Sequence, residues 1–283
     1  MSWFEERAGL AGRVAVVTGG AGGLGEAIVE DLVANAVGVA VLDRDPEAAA
    51  CMRSRTDVLV VTGDARDTAD LEAVFSAVDE RWGRLDILVN VVGGTFRAPF
   101  TDTSPKGWDA LLHANLGHVM QACALAIPRM RVGGRGGSIV NLSTIEAHRA
   151  APGFAVYSAA KAGVEQLARS LAVELAPDGI RINNVAPDFV PTPAMGRVSG
   201  PDAVPGPEAL RVAIPMGRAG RPADVAGCVV FLVSDLAAYV TGTTLHPDGG
   251  TGAAAGWFNW PGSGWSNQVP QDALERLTIG DSS

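Results

Sequence analysis

Short β-branched runs and longer helix-compatible stretches alternate along most of the chain. Val14–Val17, Val37–Leu42, Val58–Val61, Leu85–Val89, Ser138–Leu142 and Ile180–Val185 are largely apolar runs with little polar alternation. That is the pattern of strands covered on both faces. Helix-compatible stretches fill the gaps, at about 23–35, 68–82, 105–131, 155–176 and 222–234. Buried strands interleaved with helices predict an α/β fold, a single doubly wound parallel sheet with helices on both faces. The domain spans about 1–250, and two segments break its rhythm. Residues 188–216 are rich in proline and glycine and follow the sixth strand. Residues 251–283 carry Trp257, Phe258, Trp260 and Trp265, too aromatic for a disordered tail, so they are expected to pack on the domain or on a neighbouring subunit.

Composition narrows the classes. Of 283 residues, 47% are hydrophobic and 19% charged, which suits a packed globular chain. A formal charge of −9 without a basic cluster argues against a nucleic-acid partner. Cys51, Cys123 and Cys228 lie far apart, each in an apolar or helical context, and read as buried thiols with neither a disulfide nor a metal between them. The N-terminus lacks a signal-peptide pattern, and the apolar runs look too short for a membrane span. A soluble, cytoplasmic protein without membrane contact is expected.

The chemistry begins after the first strand, in Thr18-Gly19-Gly20-Ala21-Gly22-Gly23-Leu24-Gly25 followed by a helix. Glycines there allow a tight turn and close approach of a pyrophosphate to the helix N-terminus. The second strand ends in Asp43, 18 residues beyond Gly25, where a carboxylate can accept from both ribose hydroxyls of a dinucleotide and repel a 2′-phosphate. NAD is therefore the expected cofactor. The adjacent Arg44 offsets part of that repulsion.

Tyr157 and Lys161 form the second candidate centre. Four residues apart in a helical run, they share one face, and an ammonium beside a phenol favours the phenolate. Alone, such a pair is more often a half-buried tyrosine beside a solvated lysine. Its setting changes that weighting.

With these residues in place, the chain strongly resembles the short-chain dehydrogenase/reductase family in its single-domain form, over about 250 residues. The resemblance implies a Rossmann-type fold. It implies cofactor contacts at Gly19, Gly23, Leu24, Gly25, Asp43, Arg44, Asp64, Ala65, Asn90 and Gly93, with Tyr157 and Lys161 also on the cofactor and Pro187, Val190 and Thr192 near the nicotinamide. Asn115 resembles the family's catalytic asparagine, a water anchor beside the lysine. The catalytic hydroxyl thirteen residues before the tyrosine falls on Thr144 where a serine is usual, with neighbouring Ser143 as the fallback. Asn90-Val91-Val92-Gly93 stands for Asn-Asn-Ala-Gly, and Pro187-Asp188 for Pro-Gly, leaving the role of Asp188 open.

The activity so implied is NAD-dependent interconversion of a secondary alcohol and its ketone. Tyr157 exchanges the proton, Lys161 lowers its pKa and binds the ribose, and Thr144 donates to the substrate oxygen. Residues 188–216 match the variable substrate lid, whose Phe189, Val190, Met195, Val198, Val204, Leu210, Val212 and Ile214 suggest an apolar, cyclic or aromatic small-molecule substrate; simple lid packing explains them equally well. Phe96 and Phe154 extend that wall, while Arg97 and Arg149 together suit one carboxylate. The alternatives are an NADPH-dependent ketoreductase acting on oxoacyl thioesters and a non-catalytic NAD-binding scaffold. The resemblance also implies a homotetramer.

Overall fold

The computed structural model describes residues 3–55, 58–193, 205–271 and 273–275. Among these residues, seven strands form one parallel sheet: β1 (Val14–Thr18), β2 (Gly38–Asp43), β3 (Leu59–Thr62), β4 (Ile87–Asn90), β5 (Gly137–Leu142), β6 (Ile180–Val185) and β7 (Thr244–Leu245). Their spatial order is β3-β2-β1-β4-β5-β6-β7. The winding reverses between β1 and β4, and the crevice beyond the strand ends there is where such sheets bind ligands.

The longer helices among the described residues are α1 (Trp3–Ala8), α2 (Gly23–Ala34), α3 (Pro46–Arg55), α4 (Thr68–Trp82), α5 (Pro105–Leu112), α6 (His118–Arg131), α7 (Ala155–Leu175), α8 (Pro207–Ala213) and α9 (Pro222–Val233). Successive strand residues point to opposite faces, so adjacent apolar residues serve two cores. Val17, Val41, Val89 and Val185 pack with Ile28 and Leu32 of α2 and Val225 and Val229 of α9. Val16, Leu42, Leu88 and Ile182 pack with Phe75 of α4, Ala122 of α6 and Val164 of α7. This double coverage is why the strand sequences carry little alternation.

Several elements differ from the sequence reading. The stretch expected as one helix over 105–131 contains a π-helical turn at His113–Gly117. Pro105–Gly134 is, by length and composition, apolar enough to cross a membrane, contrary to the sequence reading. Here Val119, Ala122, Ala126 and Met130 of this segment belong to the core. The aromatic extension contains an antiparallel hairpin, β8 (Phe258–Trp260) with β9 (Gly264–Ser266), seated against α8. Trp257 and Trp265 there stay about half exposed. Residues 194–204 of the lid, with Met195, Val198 and Val204, lie outside the described residues. Val190 and Ile214 are buried packing residues.

Candidate active site

At the reversal between β1 and β4, the glycine turn is built by close backbone approach. A side chain at Gly25 would meet the Gly19 carbonyl oxygen at 1.9 Å, and Gly19 itself has φ +71°. Gly23 lies against Thr192, so the glycine turn and the start of the lid are neighbours. Leu24 packs onto the core. Asp43, ending β2, accepts from the Ala21 amide through Oδ2 at 2.9 Å and from the Asp45 amide through Oδ1 at 3.0 Å. Its carboxylate thus sits against the glycine turn. Arg44 is exposed and lies near Asp64.

Asp64 is held by Arg66, whose hydrogen bonds bring its carboxyl down to about 2. Ala65 is core. Asn90, expected at the cofactor, ends β4 with its side chain turned into the sheet. Its amide Nδ2 donates to Asn141 Oδ1 at 2.9 Å, and Asn141 donates to Asn184 Oδ1 at 3.1 Å, in register across β4, β5 and β6. The Asn90 side chain belongs to this buried row inside the sheet. Val91 and Val92 pack on the two opposite cores, Val92 also against Gly19.

The π-turn orients Asn115. Its Nδ2 donates to the Gly94 carbonyl at 2.7 Å and the Leu111 carbonyl at 2.9 Å, while Oδ1 accepts from the Gly94 amide at 3.1 Å. Gly93 fits the corner so formed: an added Cβ would lie 3.0 Å from Asn115 Oδ1 and 3.2 Å from Lys161 Nζ. Lys161 is 3% exposed and donates to the Leu142 carbonyl at 2.7 Å; burial lowers its pKa from 10.5 to about 8.

Tyr157 faces the end of β5. Burial pushes its phenol up, a hydrogen bond from Thr144 pulls it down, and the charge of Glu146 pushes it up again. The depression expected from Lys161 is therefore not found in the chain alone: that ammonium is itself desolvated and spent on the Leu142 carbonyl. The two adjacent hydroxyls part company. Ser143 Oγ donates to Glu165 Oε1 at 2.6 Å, whereas the Thr144 hydroxyl meets Tyr157.

The site mouth holds a cluster of charges. Arg149 donates to Glu146 Oε1 at 3.1 Å and to Asp188 Oδ1 at 2.9 Å, so the arginine read as suited, with Arg97, to one carboxylate is engaged by two carboxylates of this chain. Arg97 lies exposed at the rim. Asp188 is thereby placed: burial raises its carboxyl pKa, while hydrogen bonding from Thr251 and the charge of Arg149 oppose that. The Pro187 carbonyl accepts from the Ile145 amide at 3.0 Å, tying this segment to the Thr144 turn. Phe96, Ala98, Leu111 and Phe154 line a small apolar hollow beside Tyr157. A cleft of about 230 Å³ lies under the lid, lined by Phe189, Ile214, Met216 and Asp248. Sequence reasoning missed His118, fully buried; burial, and next the charge of Lys161, push its pKa down to about 3. A lone histidine in a helical stretch carried no signal of that position.

A family model described as enoyl-(acyl carrier protein) reductase matches residues 19–252, from the glycine turn past the last parallel strand. The chain belongs to the short-chain dehydrogenase/reductase family. It is thus an oxidoreductase of alcohols and ketones that uses a nicotinamide cofactor. It is 36% identical over 248 residues to 3beta-hydroxysteroid dehydrogenase 1 of Eggerthella lenta, covering 85% of this chain and 94% of that protein. It is 34% identical over 247 residues to the NADP-dependent (R)-specific alcohol dehydrogenase of Lentilactobacillus kefiri, covering 85% and 97%. The crystal structure of levodione reductase superposes with a TM-score of 0.80 at 31% identity, over 86% of this chain and 99% of that one.

Proposed function

We propose that the protein interconverts an apolar, cyclic or aromatic secondary alcohol and its ketone with NAD, Tyr157 exchanging the proton. The carrying observation is Tyr157 and Lys161 one turn apart on α7, with Lys161 anchored on the Leu142 carbonyl at 2.7 Å and the Thr144 hydroxyl beside the Tyr157 phenol. The glycine turn, Asp43, the Gly93 corner and Thr192 fit a nicotinamide dinucleotide, which when bound supplies the hydride chemistry. Thr144 orients the substrate oxygen by donating a hydrogen bond to it, and stabilises the negative charge that develops there without the reorganisation water would need. Tyr157, kept protonated at neutral pH by burial, is suited to give its proton to a ketone oxygen and to take one back from an alcohol. Asn115 holds the Gly94 backbone, and with it the strand-end loop beside Lys161.

NAD is favoured because Asp43 sets a carboxylate against the turn that meets the phosphates, where a 2′-phosphate is repelled. The Phe96–Phe154 hollow, and the hydroxysteroid named in one relative, favour a cyclic apolar substrate. The locked Arg149 disfavours an anionic one. The test is a panel of secondary alcohols and ketones with NAD(H) and NADP(H), followed by cofactor absorbance. Tyr157→Phe should lower turnover by at least about 100-fold while leaving NADH affinity unchanged. Retained turnover would overturn the assignment of the proton to Tyr157.

A further inference from the structure

The catalytic face of α7 continues one turn beyond Lys161. Tyr157, Lys161 and Glu165 stand at i, i+4 and i+8 and share that face. Each engages one of three successive residues at the end of β5. Lys161 Nζ donates to the Leu142 carbonyl at 2.7 Å, Glu165 accepts from Ser143 Oγ at 2.6 Å, and the Thr144 hydroxyl lies beside the Tyr157 phenol and lowers its pKa. Glu165 is 2% exposed, and its carboxylate also takes His148 Nε2 at 2.8 Å and lies 3.6 Å from Arg169. The His148 ring in turn meets the edge of His246, 4.5 Å between centroids, beyond β7. A buried carboxylate is tolerated only where donors meet it, and here they come from the strand end and from the turn that follows it.

We propose that Glu165 is a positioning residue, which clamps Ser143 and His148 to α7 and so fixes where the Thr144 hydroxyl meets the Tyr157 phenol. A one-residue rotation of this strand end would present Ser143 to the tyrosine and turn Thr144 away. Glu165 opposes that rotation by giving Ser143 a partner on the other side. The inference rests on the reading of Thr144 and Tyr157 as the working pair.

The chain holds two tyrosines, and the second, Tyr239, is fully exposed. In a Tyr239→Phe background grown with 3-fluorotyrosine, Tyr157 is the only fluorinated residue. Its ionisation is then followed by fluorine NMR in a range where the fold survives, because fluorine acidifies the phenol. Thr144→Ala should raise the midpoint by about one pH unit through loss of a hydrogen bond to the phenolate. Glu165→Leu should raise it in the same direction, Glu165→Gln less, and the Glu165→Leu/Thr144→Ala pair no further than Thr144→Ala alone. Were Glu165 acting only through its charge, its removal would lower the midpoint. A lowered or unchanged midpoint in Glu165→Leu, or a fully additive double variant, overturns the proposal. An unmoved midpoint in Thr144→Ala overturns instead the pairing on which it rests. Should Glu165→Leu fail to fold, Ser143→Ala removes one hydroxyl from the same contact and must raise the midpoint; no rise overturns the proposal.

Discussion

Lys161 carries a pH-dependent consequence that can be worked out from the site. Its ammonium is buried against the Leu142 carbonyl, and its pKa falls from 10.5 to about 8. At about 1.4 kcal/mol per tenfold change in proton affinity, keeping that lysine charged in the fold costs about 3 kcal/mol relative to the unfolded chain. The sign follows from proton counting. Below about pH 8 both states hold the proton and the whole penalty is present. Between about 8 and 10.5 the unfolded chain binds the proton and the folded one does not, so stability rises with pH. Cys123, pushed up to about 12 by burial, and Tyr157, also raised, act in the opposite sense in the alkaline range. The informative quantity is therefore the difference between wild type and Lys161→Met, which removes the charge and keeps the apolar stem. Urea unfolding at pH 7, 8, 9 and 10 should show wild type gaining on the variant by up to about 3 kcal/mol across that window. At pH 7 the variant should be about as stable as wild type, since relief of the charge is offset by the lost hydrogen bond. Parallel curves for the two proteins from pH 8 to 10 would refute the reasoning.

Other expectations follow from single contacts. Asp43→Ala should improve the NADP-to-NAD affinity ratio by about tenfold, read by fluorescence titration with each reduced cofactor. Gly93→Ala forces a methyl to 3.0 Å from Asn115 Oδ1 and 3.2 Å from Lys161 Nζ, so kcat should fall by about tenfold or more with the fold retained, by steady-state kinetics and circular dichroism. His118 falls from 6.5 to about 3 in the fold, so the unfolded chain binds its proton first on acidification. Stability should then drop as pH falls from 6.5 towards 3, by up to about 5 kcal/mol, and His118→Leu should lose less over the same range in urea melts.

How far the site was legible depended on whether its signals were local. The glycine turn announces itself because Gly19 and Gly25 must approach within a few residues of each other, directly after a strand. Asp43 could be placed because it ends β2, and β1 and β2 pair in register up to Thr18 and Leu42. The place of the Asn90 side chain was not legible for the opposite reason. Its partner Asn141 lies 51 residues away on β5, and nothing local distinguishes a buried amide row from a ligand contact. The π-turn at His113–Gly117 was invisible for a similar reason, since its periodicity blends into the helices on either side.

By itself the sequence determined six of the sheet's seven described strands, the glycine turn and the Tyr157–Lys161 spacing, because burial on both faces, tight turns and helical periodicity each act over a few neighbouring residues. Only the tertiary structure decided that Ser143 is taken by Glu165, leaving Thr144 as the hydroxyl beside Tyr157, and that Arg149 is spent on Glu146 and Asp188. Those outcomes depend on how the end of β5 docks against a helix that begins 13 residues later, a register set by packing and by paired buried charges.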